Sequence, residues 1–178
     1  MSASTAPVKV TPAAGTALGV LRIALGFVFL WPFLDKAFGL GYATAPGKAW
    51  INGESPTAGF LKFATQGKPL AGFFQSLPTA LSDIGFMLGM LAIGTALILG
   101  IGTRLAALGG AIMMGMLYLA TMPFITSPEA PSQNPLVDNH VIYAIAVVAL
   151  AAVGAGNYLG LGKWWSSLDI VKKNPWLI

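Results

Sequence analysis

Cysteine is absent from this chain, and histidine occurs once, at His140. Without a thiol the chain makes no disulfide, exchanges no thiol, and holds no iron–sulfur cluster or zinc ion through sulfur. A single imidazole also excludes haem ligated by two histidines of the same chain. No metal or haem is therefore expected to be held by this chain alone, and any redox chemistry must borrow its electron carrier. Charge is scarce too. Asp, Glu, Lys and Arg make up 9% of the 178 residues, against roughly 25% in a soluble domain. So few charges cannot clothe a water-facing surface, and the lipid bilayer becomes the expected solvent. The net charge is only +4, and no basic cluster is interleaved with aromatics, so nucleic acid is not an expected partner.

What fills the sequence is apolar: 56% hydrophobic residues, together with 22 glycines, a combination suited to helices packed inside a membrane. Four stretches reach the roughly 20 apolar residues that a bilayer crossing needs. They cover residues 15–40, 78–101, 103–125 and 139–161. The expected fold is all-α: an integral membrane four-helix bundle over residues 15–162, between a polar tail (1–14) and an interfacial tail (163–178). The N-terminal stretch has one basic residue, Lys9, so the first apolar run reads as a retained span and not as a cleaved signal. The connection between spans one and two, about residues 41–77, is too long for a mere connector. Ser55-Pro56 and Pro69 are helix-start signals for two short interfacial helices, with Phe60, Leu61, Phe63, Phe73, Phe74 and Leu77 on their apolar side. They are expected at the interface or as a cover over the outer face.

Orientation follows the basic residues. Lys9, Arg104, Lys163, Lys172 and Lys173 sit at the termini and at the turn between spans two and three. The loop between spans three and four has no Lys or Arg. This predicts a multi-pass protein of the cell membrane with both termini cytoplasmic, although Lys36, Lys48, Lys62 and Lys68 in the first loop weaken the bias. Trp164 and Trp165 suit the interfacial belt, and the tail reads as an anchor. Gly85-x-x-x-Gly89 and Ala111-x-x-x-Gly115 read as sites of close helix approach.

Polar residues inside or beside the spans need a partner, water or a function. Arg22 lies about two turns into the first span. Two readings stay open: it snorkels to the headgroups, or it faces the bundle and binds backbone carbonyls. Every span also places polar groups near the opposite level: Asp35 and Lys36, Asp83, Tyr118, and Asp138 to Tyr143. Trp31 and Trp50 could supply aromatic walls. Asp138 or Asn139 suits a helix cap. His140 then falls in the first turn, with Tyr143 on the same face. An imidazole there exchanges protons near neutral pH. One reading is a site for a ligand that takes up protons with electrons, such as a quinone: His140, Asp138 and Tyr143 relay protons, and Asp35, Lys36, Trp31, Trp50, Asp83, Tyr118 and Arg22 bind. The other is a capped helix with interfacial His and Tyr.

LRIALGFVFLWPFLDK (residues 21–36) resembles the first-helix signature of DoxX-type proteins: an Arg, then Gly and aromatics, then a Lys 14 residues on. LGIGTRLAAL (99–108) resembles that family's hairpin between helices two and three, and VGAGNYLGLG (153–162) its glycine-rich end of helix four. The long loop AWINGESPTAGFLKFATQGKPLAGFF and the stretch NPLVDNHVIYA are closer to the DoxD branch. The family often has Gly where this chain has Phe33. The resemblance implies a four-helix membrane protein. For the DoxD branch it also implies association with thiosulfate:quinone oxidoreductase, which joins thiosulfate into tetrathionate and reduces quinone. Two functions follow as expectations. One is the membrane subunit of such an oxidoreductase, working with a second redox subunit or a sulfurtransferase-like partner, in which Lys36, Lys48, Lys62 and Lys68 draw in the sulfur anion. The other is a non-catalytic membrane scaffold that anchors a redox or detoxifying partner.

Overall fold

The computed structural model describes residues 10–125, 134 and 136–178. Lys9 and most of the proline-rich connection before Asp138 lie outside the described residues. Among those described the regular structure is helical, with no strand. The principal elements are α1 (Pro12–Phe38), α2 (Ala71–Ser76), α3 (Thr79–Leu99), α4 (Thr103–Thr121), α5 (Asn139–Ala152), α6 (Gly162–Ser167) and α7 (Asp169–Lys173). Short 3₁₀ or π turns lie at Trp50–Asn52, Phe60–Ala64, Ala155–Asn157 and Pro175–Leu177.

Local chemistry sets the helix ends. The Thr11 hydroxyl accepts from Ala14 N at 3.3 Å, with Pro12 at the first helical position, where its missing N–H costs nothing. Gly39, in the left-handed region at φ 66°, closes α1. The turn from α3 to α4 is only Gly100-Ile101-Gly102. Both glycines take positive φ, 74° and 56°, which residues with a Cβ adopt at a cost. Helices α3 and α4 are thereby bound to run antiparallel as neighbours.

Three helices, α1, α3 and α4, are long and apolar enough to cross a membrane. α1 lies against α3, α3 against α4, and α4 against α5, with α5 also touching α1. The core between them holds Leu25, Phe29, Met90, Ile93, Leu97, Met114, Val147 and Leu150. The outside is apolar as well: Leu21, Phe27, Leu88, Leu108, Ile112 and Ile145 are all half exposed or more. A water-soluble domain does not coat itself this way; a lipid-facing one does.

Two expectations need correcting. The apolar stretch 139–161 is not one helix. α5 stops at Ala152 after 14 residues, about 21 Å of rise, which is less than the roughly 30 Å hydrocarbon core. Gly154 turns left-handed at φ 65° and the 3₁₀ turn Ala155–Asn157 follows. Hydropathy alone counts VGAGNYLGLG as a span, but four glycines in ten residues each weaken a helix by about 1 kcal/mol. The second correction concerns close approach. Gly85 and Gly115 meet no neighbouring atom within 4 Å of an added Cβ. The tight crossing lies instead between α1 and α3, where a Cβ on Gly94 would come within 2.7 Å of Leu30 N and one on Gly26 within 2.9 Å of Ile98 N.

Candidate functional site

Two polar centres stand at opposite ends of the helices, and Arg22 forms the first. Glycines at 15, 19 and 26 share its face of α1. A Cβ on Gly15 would fall 2.5 Å from the Tyr158 ring, and one on Gly19 2.8 Å from Tyr158 O. That small-residue face lets the end of α3 and the segment after α5 close over the guanidinium. Arg22 is fully buried. Nη1 donates to Leu97 O and Ile98 O, and Nη2 to Tyr158 O (3.1 Å) and Leu159 O (2.9 Å). Leu97 and Ile98 are in the last turn of α3, whose carbonyls lack helical partners and carry the negative end of the helix dipole. Gly100 and Gly160 wall the guanidinium, since a Cβ at either would strike it at 2.4 and 2.8 Å. This settles Arg22 as bundle-facing and explains why α5 ends early: a continuing helix would consume the carbonyls of Tyr158 and Leu159 as internal acceptors. Nε is left without a hydrogen bond. Arg22 is therefore a structural tie, placed toward the opposite end of α1 from Asp35 and Lys36.

The second centre is at the start of α5. Asp138 caps it, its Oδ1 accepting from His140 N (3.0 Å) and Val141 N (3.2 Å). Its Oδ2 lies 2.7 Å from His140 Nδ1. Burial raises the Asp138 carboxyl. The hydrogen bonds from His140 and Val141, with the charge of His140, outweigh that and hold it below its ordinary value. Because Asp138 occupies Nδ1, the free nitrogen of His140 is Nε2. Both side chains are less than one-fifth exposed.

His140 lines one end of a long cavity of about 1040 Å³, and Lys36 lines the same end. The Lys36 ammonium has no hydrogen bond or ion pair among the described residues. Phe60, Leu61, Phe74 and Leu77, from the connection between α1 and α3, wall that end, while Phe63 and Phe73 face outward. From there the cavity runs as a groove between α3 and α4 to Ile101, Gly102 and Trp165. Its α3 wall is Gly85, Gly89, Ala92 and Ala96, spaced by four, three and four residues, hence one helical stripe. Gly109 and Ala106 face it from α4. The sequence signal was the small residue at Gly85 and Gly89. It marks a groove here, with the Met113 methyl resting against Gly89.

The other expected site residues do different work. Asp35, almost fully buried, accepts from Tyr42 N and Ala43 N at 3.2 and 3.0 Å and so folds the chain leaving α1. Asp83 Oδ1 accepts from Ser55 Oγ, Thr57 N and Thr57 Oγ1, pinning the same connection to α3. Thr57 and Ser82 beside it line the groove, and the sequence reading passed over both. Tyr118 donates to Leu136 O at 3.1 Å. Tyr143 packs partly buried against the core, and its hydroxyl has no hydrogen bond among the described residues. Trp31 stands edge-on to Tyr42 at 5.0 Å, and Trp50 begins a 3₁₀ turn beside α1. Neither tryptophan lines the groove. Three of the four lysines expected to draw in an anion are already engaged. Lys48 pairs with Glu54 at 2.7 Å, Lys68 donates to Ile125 O, and Lys62 lies over the Phe63 ring.

No family model, curated protein or solved structure matches this chain.

Proposed function

We propose that the chain is a multi-pass protein of the cell membrane, its fourth crossing made by α5 together with the glycine-rich segment after it, and the quinone-reducing subunit of an oxidoreductase, of the thiosulfate:quinone type that its sequence resembles. One observation carries the reading: the Asp138-held imidazole and the Lys36 ammonium, which has no partner among the described residues, occupy one end of a largely apolar groove whose other polar side chains are Thr57 and Ser82. A molecule with a polar, proton-accepting head and a hydrocarbon chain is complementary to that arrangement. Reducing a quinone to a quinol consumes two electrons and two protons. His140 Nε2 delivers one proton to a quinone oxygen, while Asp138 fixes the ring through Nδ1 and stabilises the imidazolium before transfer; water at the head end recharges Nε2 for the second proton. Lys36 stabilises the negative charge that develops on quinone oxygen as electrons arrive. The two electrons come from two thiosulfate ions, which join through a new S–S bond, either directly or by way of a partner redox subunit. The chain has no thiol to carry them itself.

The test is quinone reduction by the purified protein with thiosulfate saturating, alone and with its candidate partner. His140→Ala is expected to cost about 10²–10⁴-fold in kcat, the usual scale for losing a general acid. His140→Gln keeps a hydrogen-bonding head and retains binding, with the same loss in kcat. Wild-type rates in both variants would sink the catalytic role and leave the membrane scaffold as the function.

A further inference from the structure

The α3–α4 groove is longer than one half of a membrane. From Ser82 to Ala96, both lining it, α3 rises about 21 Å at 1.5 Å per residue, and the groove continues to Gly102 and Trp165. One leaflet contributes about 15 Å of hydrocarbon. A phospholipid chain anchored at the His140 end would stop near Ala92, ten residues and about 15 Å along α3. The groove goes on beyond that level, still apolar, between Ile93, Ala96 and Gly109. It also opens sideways. Gly85, Leu81 and Ile112 line it and are exposed at the helix surface. The groove is open at Gly85, where an added Cβ touches nothing, and at Gly109, where one only reaches ordinary contact with Ile93 at 3.6 Å; between them the flexible end of Met113 lies against Gly89 and must turn aside for a tail to pass.

Resting on the quinone reading above, we infer that this groove selects a long polyprenyl tail, one that enters sideways from lipid and crosses the bilayer midplane between α3 and α4. The head meets Lys36 and His140, and the part of the chain beyond Ala92 is what a short-tailed quinone lacks. Selection arises from packing, because a tail leaving lipid gains no hydrophobic energy from the groove.

The full-length protein in lipid nanodiscs is titrated with two benzoquinones, one whose tail is too short to reach the midplane and one with a long polyprenyl tail. The wild type is expected to bind the long-tailed compound about tenfold more tightly, equivalent to about 1.4 kcal/mol. Gly109→Leu fills the groove beyond Ala92 and Ala92→Leu narrows it at that level, and each removes that advantage by weakening the long-tailed compound. Gly115→Leu adds the same bulk at an open position off the groove and preserves the advantage. Thermal melting of each variant checks folding, and Ala92, exposed on α3, is the milder of the two plugs. Equal wild-type affinity for both compounds, or a plug that leaves the long-tail advantage intact, overturns tail selection while the quinone site stands. Absence of binding by either compound overturns the quinone reading itself. A plug that changes the oligomeric state instead shows that a protein helix fills the groove, which also overturns the inference.

Discussion

Arg22→Leu removes a donor shared by four carbonyls and leaves the glycine-walled space around it without a side chain that can bond to them. Each buried polar group left unpaired costs about 1–3 kcal/mol. The melting temperature in detergent should therefore fall, and Arg22→Lys should recover only part of it, because an ammonium cannot spread across acceptors on two segments as the planar fork does. An unchanged or raised melting point in Arg22→Leu would remove the tie. Asp138 makes a pH prediction. Its folded value lies below the ordinary 3.8, so the unfolded chain binds the proton more readily. The stabilisation is complete above the ordinary value and is lost as pH falls through the lowered one. Below about pH 4 the melting temperature of the wild type should drop more steeply than that of Asp138→Asn, which keeps a capping oxygen and loses the charge. Parallel acid limbs would show that the carboxylate of Asp138 contributes nothing to the fold.

Among the helices, the α1–α3 crossing and the α3–α4 groove respond oppositely to the same mutation. Gly94→Ala drives a methyl onto the Leu30 backbone, which cannot rotate away, and should destabilise by about 1–3 kcal/mol. Gly85→Ala meets nothing and should be neutral or stabilising by up to about 1 kcal/mol, the helix preference of Ala over Gly. Denaturant or thermal melts of the two variants, moving the same way, would contradict the assignment of close and open faces. The contrast also shows what the sequence can reveal. Long apolar runs announce α1, α3 and α4, since length and hydropathy suffice. The Asp138 cap is legible because an acid before an apolar run has one common use. The break in the fourth stretch is not legible from hydropathy, which does not weigh the glycines that weaken the helix there, and the use of the freed carbonyls by Arg22, more than a hundred residues away, has no local signal. Gly85 and Gly94 look alike in the sequence; only the partner helix decides which is a contact and which is a wall. Asp35 and Asp83 were legible as misplaced charges, but their partners were not: the amides of Tyr42 and Ala43 carry no signature, and Ser55 is marked in the sequence only as a helix start.

For the molecule as a whole, the basic residues predict a side. A cysteine introduced at Ser132 should react with an impermeant thiol reagent in intact cells and one at Ser4 should not, because Lys and Arg favour the cytoplasmic face. The reverse labelling would invert the orientation, placing the His140 end inside. The buried arginine also has a consequence in time. Its acceptors at Leu97 and Tyr158 lie 75 and 136 residues further along the chain. At about 5–20 residues per second, synthesis supplies the last of them roughly 7–27 s after Arg22 itself. Through that interval the first helix of a membrane-inserted chain carries an unmatched charge, reaching toward the headgroups as long basic side chains do. Its descent among the glycines is then a late event of biogenesis. A chain cut short before Tyr158 strands the first helix with half of its guanidinium acceptors missing.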